Sequence, residues 1–140
     1  MLRKLSLYIL SFLITIIVLI YILQLPQFLT NNNPLVKEYY YDNYITNIPL
    51  DFLLILIYLL ISYGIIQYMN INDNTYKLLI VMLTTLIISS IFYIIFTQKP
   101  INDNNFFSRW FHSAGFNAVI YDVILLGSVY FLYMSLDNMI

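Results

Sequence analysis

The sequence predicts an all-α, polytopic membrane protein: four transmembrane helices, with a short interfacial amphipathic helix before the fourth. Two observations carry that prediction. Only 9% of the 140 residues are charged and the mean hydropathy is +0.82, whereas soluble domains carry about 25% charged residues. The apolar residues are also gathered into four stretches, each near the ~20 residues needed to cross about 30 Å of hydrocarbon.

The first span covers about residues 5–25 (LSLYILSFLITIIVLIYILQL), after Arg3 and Lys4. It carries no small-residue cleavage site and is long for a signal-peptide core, so it is expected to be a retained helix. The second covers about 47–69 and opens near Pro49, where a first-turn proline gives up an N–H that has no intrahelical partner. The third covers about 77–97 and ends before Lys99-Pro100, and the fourth covers about 116–138. No folded domain separates any two spans, so residues 1–140 read as one four-helix transmembrane domain.

Between the first two spans lies QFLTNNNPLVKEYYYDNYIT, in which Tyr39, Tyr40, Tyr41 and Tyr44 fit an aromatic belt at headgroup level. The second loop, NINDNTY, is short enough for a tight helical hairpin. The third contains INDNNFF, which echoes INDNTY either as a repeat or as a coincidence of asparagine-rich composition. Residues 105–115 then read as an amphipathic helix lying on the membrane. Phe106, Phe107, Trp110 and Phe111 make one aromatic face, with Arg109 and His112 largely opposite and Asn104 or Asn105 available as N-cap. Gly115 permits a sharp turn into the fourth span.

Lysine and arginine do not orient the chain. Arg3, Lys4 and Lys77 fall on one side and Lys37, Lys99 and Arg109 on the other, which leaves no positive-inside bias. The weight of the first helix places both termini on the cytoplasmic side or its equivalent.

Each span carries a stripe of small or hydroxylated residues, the composition that lets helices approach and hydrogen-bond in lipid. In the fourth, at 100° per residue, Asn117, Ala118, Tyr121, Asp122, Ser128 and Ser135 share one side, and Val119, Ile120 and Phe131 lie on the other. In the second, Asp51, Tyr58 and Ser62 align; in the third, Thr84, Thr85 and Ser89; in the first, Tyr8, Ser11 and Thr15. These positions form either an interhelical seam or the lining of a water-filled pathway.

Asp51 and Asp122 are the charged residues inside the spans away from their end positions, which hold Lys77 and Asp137. An intramembrane carboxylate is costly, so it normally faces the bundle and has a partner. The second and fourth spans run in the same direction, which puts both aspartates near one membrane face, a few ångströms apart in depth at ~1.5 Å per residue. Three readings are open for them. They are satisfied structurally by hydroxyls, Arg109 or helix amides; they form a proton or cation site; or they contact a partner subunit.

Several chemistries have no residues to perform them. Cysteine is absent and histidine occurs once, so no metal site is expected, and HExxH, GxSxG and Gly-rich phosphate loops are missing. No cofactor is expected. A net charge of −1 gives no footprint for nucleic acid. Expected partners are the lipid bilayer and either membrane-protein partners or further copies of the chain. The abundance of Ile and Asn against two Ala points to an AT-rich genome, such as that of a large DNA virus, an organelle or a parasite.

The run FFSRWFHSAGFNAVIYDVILLGSVYFLY, with NIPLDFLLILIYLLI before it, resembles small uncharacterised multi-span membrane proteins of nucleocytoplasmic large DNA viruses over residues 47–133. The features that match are the aromatic-basic stretch, the Tyr121-Asp122 pair and the Pro49–Asp51 opening. The resemblance implies residence in a virion's internal membrane or a viral factory membrane, and it brings no catalytic residue with it. The expected function is therefore a non-enzymatic structural or interaction role in a membrane, the alternative being a small ion or proton channel or transporter that uses Asp51 and Asp122.

Overall fold

A computed structural model describes residues 2–31 and 33–139. Most of the described residues are helical. Helix α1 (Leu2–Ile16) continues as a π-helical stretch, Ile17–Ile22, and stops where Gln24 takes a left-handed backbone, φ 52°. Pro26 begins α2 (Leu25–Thr30), and Asn31, also left-handed, ends it. Helix α3 (Asn33–Val36) runs into a second π-helical stretch, Lys37–Asp42. Then follow α4 (Tyr44–Tyr68), α5 (Asn74–Gln98), α6 (Phe106–Ala114) and α7 (Asn117–Met139). Four helical stretches, Leu2–Ile22, α4, α5 and α7, are long and apolar enough to cross a membrane. This is the architecture of a multi-pass integral membrane protein.

Local chemistry sets the ends. Asp73 caps α5 by accepting from the Thr75 amide at 2.8 Å, and Asn105 caps α6 by accepting from the amides of Phe107 and Ser108. The first INDN segment thus supplies its helix's cap, Asp73, while α6 is capped by Asn105, the residue after the second. Gly115, at φ 64° and ψ −148°, occupies a region essentially closed to side chains, and so turns α6 into α7. The second span begins earlier than expected, at Tyr44, which puts Pro49 inside α4. Proline there has no N–H, so the Ile45 carbonyl loses its usual i+4 donor; Ile45 itself is 73% exposed.

Helix α7 is the centre of the bundle. It packs on α5, α1, α2 and α6, while α4 leans mainly on α5 and the second π stretch. Its buried face holds Val119, Leu125, Leu126 and Val129 as well as Ala118 and Tyr121. This corrects the expected seam. The face is rotated toward Val119, so Asn117 is exposed and Ser128 only partly buried. A helix surrounded on several sides has no single polar stripe to point inward. Helices α1 and α7 are antiparallel, and Arg3 at the start of one pairs with Asp137 at the end of the other at 2.6 Å.

The seam hydroxyls also behave differently from expectation. Ser11, Ser62 and Thr85 are fully buried, but each donates to the carbonyl four residues earlier in its own helix, at 2.8–2.9 Å. They act as small residues that permit close packing. Thr84 is buried as well. Gly127 serves the same end, since a Cβ there would lie 3.3 Å from Met82 on α5.

Candidate functional site

The segment between the first two spans folds inward. Tyr39 and Tyr40, expected in a headgroup belt, are each 5% exposed, whereas Tyr41 and Tyr44 stay at the surface. Adjacent residues do not share a face in an α-helix. The wider π turn of Lys37–Asp42 brings both phenols to one carboxylate. Tyr39 donates to Asp51 Oδ1 and Tyr40 to Oδ2, the latter at 2.9 Å. Tyr40 has one hydrogen, so the 2.9 Å contact between its oxygen and that of Tyr121 must be donated by Tyr121. The result is a relay from α7 through the π stretch to α4: Tyr121 to Tyr40 to Asp51. Burial, and then the Asp51 carboxylate beside them, push both the Tyr39 and Tyr40 phenols above their ordinary range. They remain protonated donors.

Asp122 is one residue along α7 and is partly buried. Ser89 on α5 donates to its Oδ2 at 2.6 Å. This bond joins α5 to α7, as the Tyr8 hydroxyl joins α1 to α4 by donating to the Phe52 carbonyl at 2.6 Å, and the described hydrogen bonds give Asp122 no second donor. Arg109 serves neither aspartate. Its two terminal nitrogens grip both oxygens of Glu38 at 2.8 Å each, a bidentate geometry that fixes α6 against the first connection. The guanidinium beside it holds the Glu38 carboxyl below its ordinary value.

Helix α6 lies across this end of the bundle, and its aromatic face corrects the expectation of a lipid anchor. Trp110 and Phe111 are 7% and 5% exposed, and Phe106 and Phe107 are partly buried. They turn into the protein: Phe106 lies 4.7 Å from Tyr39, Phe111 stacks on Phe96 at 5.6 Å, and Trp110 meets Tyr121 edge-on at 6.4 Å. Lipid and protein interior are equally apolar solvents for such a face, so its amphipathicity did not distinguish them. His112 donates to the Lys99 carbonyl at 2.9 Å and ties α6 back to the end of α5.

Beneath α6 these groups enclose a cavity of about 210 Å³. Ten of its seventeen lining residues are aromatic, Tyr58 among them, and its charged lining residues are Asp51 and Asp122. The structure therefore brings together Asp51, Asp122, Tyr58, Tyr121 and the ring residues of α6. It leaves Asn117, Ser128, Ser62, Thr84 and Thr85 outside, and Arg109 and His112 on the outer face of α6 do not line the cavity. Tyr39 and Tyr40 are the site residues that sequence reasoning placed elsewhere. Their signal was adjacency to one another ahead of an intramembrane acid, which reads equally as a belt. Among the described residues, no group of three His, Cys, Asp or Glu side chains is placed to hold a metal ion.

Comparison with family models, curated proteins and solved structures finds no match. The chamber is therefore interpreted from its own chemistry.

Proposed function

We propose that this chain is a non-enzymatic membrane protein whose working part is the chamber beneath α6, a proton- or cation-binding site of a small carrier or channel. One observation carries the reading: two carboxylates line the cavity and no cationic residue does. In a low-dielectric setting two such groups disfavour each other's charge, so a proton or a bound cation completes the site. Asp51, with a phenol on each oxygen, is the fixed member. Asp122, with Ser89 on one oxygen, has the other available for exchange. The test is proton and cation flux in liposomes containing the purified full-length chain. Flux that falls at least tenfold in Asp122→Asn, with thermal stability unchanged, supports the reading. A folded protein with no flux of either kind defeats it.

A structural or interaction role is the second reading. It is favoured by the apolar stripe Leu53, Ile57 and Leu60 on α4 and by Leu83, Ile87 and Ile91 on α5, all exposed. Lipid or the helices of a membrane partner would cover them. Stoichiometric co-purification of another membrane protein in mild detergent supports this role, and a lone monomer counts against it. Residence in a viral membrane rests on the resemblance of residues 47–133 alone.

A further inference from the structure

We infer that the chamber beneath α6 takes a small organic cation, an amine or quaternary ammonium group, held by Asp122 against the rings of Trp110, Tyr121, Tyr39, Tyr40 and Phe111. The inference rests on the reading of the chamber as a binding site and names its ligand class.

The sign of the ligand follows from the lining. Asp51 and Asp122 line the cavity without a lysine or arginine, and the nearby Arg109 is committed through both terminal nitrogens to Glu38. A neutral ligand would leave the charge deficit as it is, and an anion would worsen it.

The walls select among cations. A hard metal ion asks for about six or more oxygen ligands, whereas most of this lining is aromatic. Rings present a negative face to a cation, which is the basis of aromatic cages for ammonium groups. Trp110 meets Tyr121 at an interplanar angle of 78°, and Tyr39 meets Tyr40 at 73°. These two pairs meet at near-right angles, while Phe106 stacks on Trp110 and Phe96 on Phe111, each stack leaving one face of Trp110 and of Phe111 for a cation.

Size agrees. The cavity measures about 210 Å³, and a cavity of about 150 Å³ is enough for benzene. A trimethylammonium head with a short tail fits. That chemistry is available from two sources at a membrane face, a free amine such as choline or the headgroup of a choline lipid.

The chain supplies its own reporter, because Trp110 is the single tryptophan and lies in the chamber wall. The full-length protein is placed in phosphatidylglycerol nanodiscs, which contain no amine, and titrated with choline and with its neutral isostere 3,3-dimethyl-1-butanol. The expected result is a saturable change in Trp110 emission with choline and at least tenfold weaker binding of the isostere. Asp122→Asn should weaken choline at least tenfold; asparagine still offers Ser89 an acceptor. If that variant does not fold, Phe111→Leu removes a ring and keeps an apolar side chain, and it should weaken choline but not the isostere.

Native mass spectrometry of protein extracted from mixed phosphatidylcholine and phosphatidylglycerol membranes separates the sources. Retained phosphatidylcholine that choline displaces assigns the site to the headgroup, and its absence beside choline binding assigns it to a free amine. Equal binding of choline and isostere overturns the inference, as does a folded protein that neither responds to choline nor retains phosphatidylcholine. Asp122-dependent proton flux in that last case would leave the proposed function standing, whereas its absence would remove both.

Discussion

Tyr40 and Asp51 are joined by a 2.9 Å hydrogen bond between a residue expected in the headgroups and a carboxylate inside a span. Through Tyr121, the same phenol ties α7 to that carboxylate. Tyr40→Phe deletes the donor and leaves a buried carboxylate oxygen without its partner. The expected loss is about 1–3 kcal/mol of stability, read as a lowered thermal midpoint in detergent. Tyr41→Phe, at an exposed ring, should fall within about 0.5 kcal/mol of the parent. Equal effects of the two would show that the buried relay does not stabilise the fold.

The Glu38–Arg109 pair gives a pH signature. Arg109 lowers the Glu38 pKa from its ordinary 4.5, so the pair stabilises the folded state most above that ordinary value. The contribution declines as pH falls from there through the lower, folded pKa. The stability difference between the parent and Glu38→Gln should therefore stay constant from pH 8 to about 5.5 and shrink below about 4. A difference that has already vanished at pH 6 would contradict the assignment.

Thr15 is 2% exposed and its hydroxyl has no hydrogen-bond partner. Valine has nearly the same shape and no polar atom to desolvate. Thr15→Val should raise stability by about 1–2 kcal/mol. Ser89→Ala, which removes the donor to Asp122, should lower it by about 1–3 kcal/mol. Urea or thermal unfolding of the two variants side by side checks the opposite signs.

The absence of cysteine makes helix pairing directly testable. Arg3→Cys with Asp137→Cys should cross-link with a bismaleimide whose spacer replaces the reach of the arginine, as should Glu38→Cys with Arg109→Cys, because each parent pair is in side-chain contact. Arg3→Cys with Arg109→Cys should not, since the two positions lie at opposite ends of the bundle. An efficient cross-link in this third pair would contradict the helix order.

The sequence by itself determined the four spans, an asparagine cap at Asn104 or Asn105, of which the structure uses Asn105, the turn at Gly115, and the co-location of Asp51 and Asp122 at one end of the bundle. Span length, proline and glycine constraints and the parity of an even number of crossings are local or countable properties, and they survive without knowledge of packing. Only the tertiary structure decided which way faces turn. Trp110 and Phe111 went inward, and Val119 joined the core, because lipid and protein interior are equally hospitable to an apolar side chain and periodicity alone does not separate them. The partner of Asp51 was also out of reach. It depends on a π-helical turn that places Tyr39 and Tyr40 together, and on Glu38 holding Arg109 away from both aspartates. The uncompensated aromatic chamber is the sum of those long-range choices.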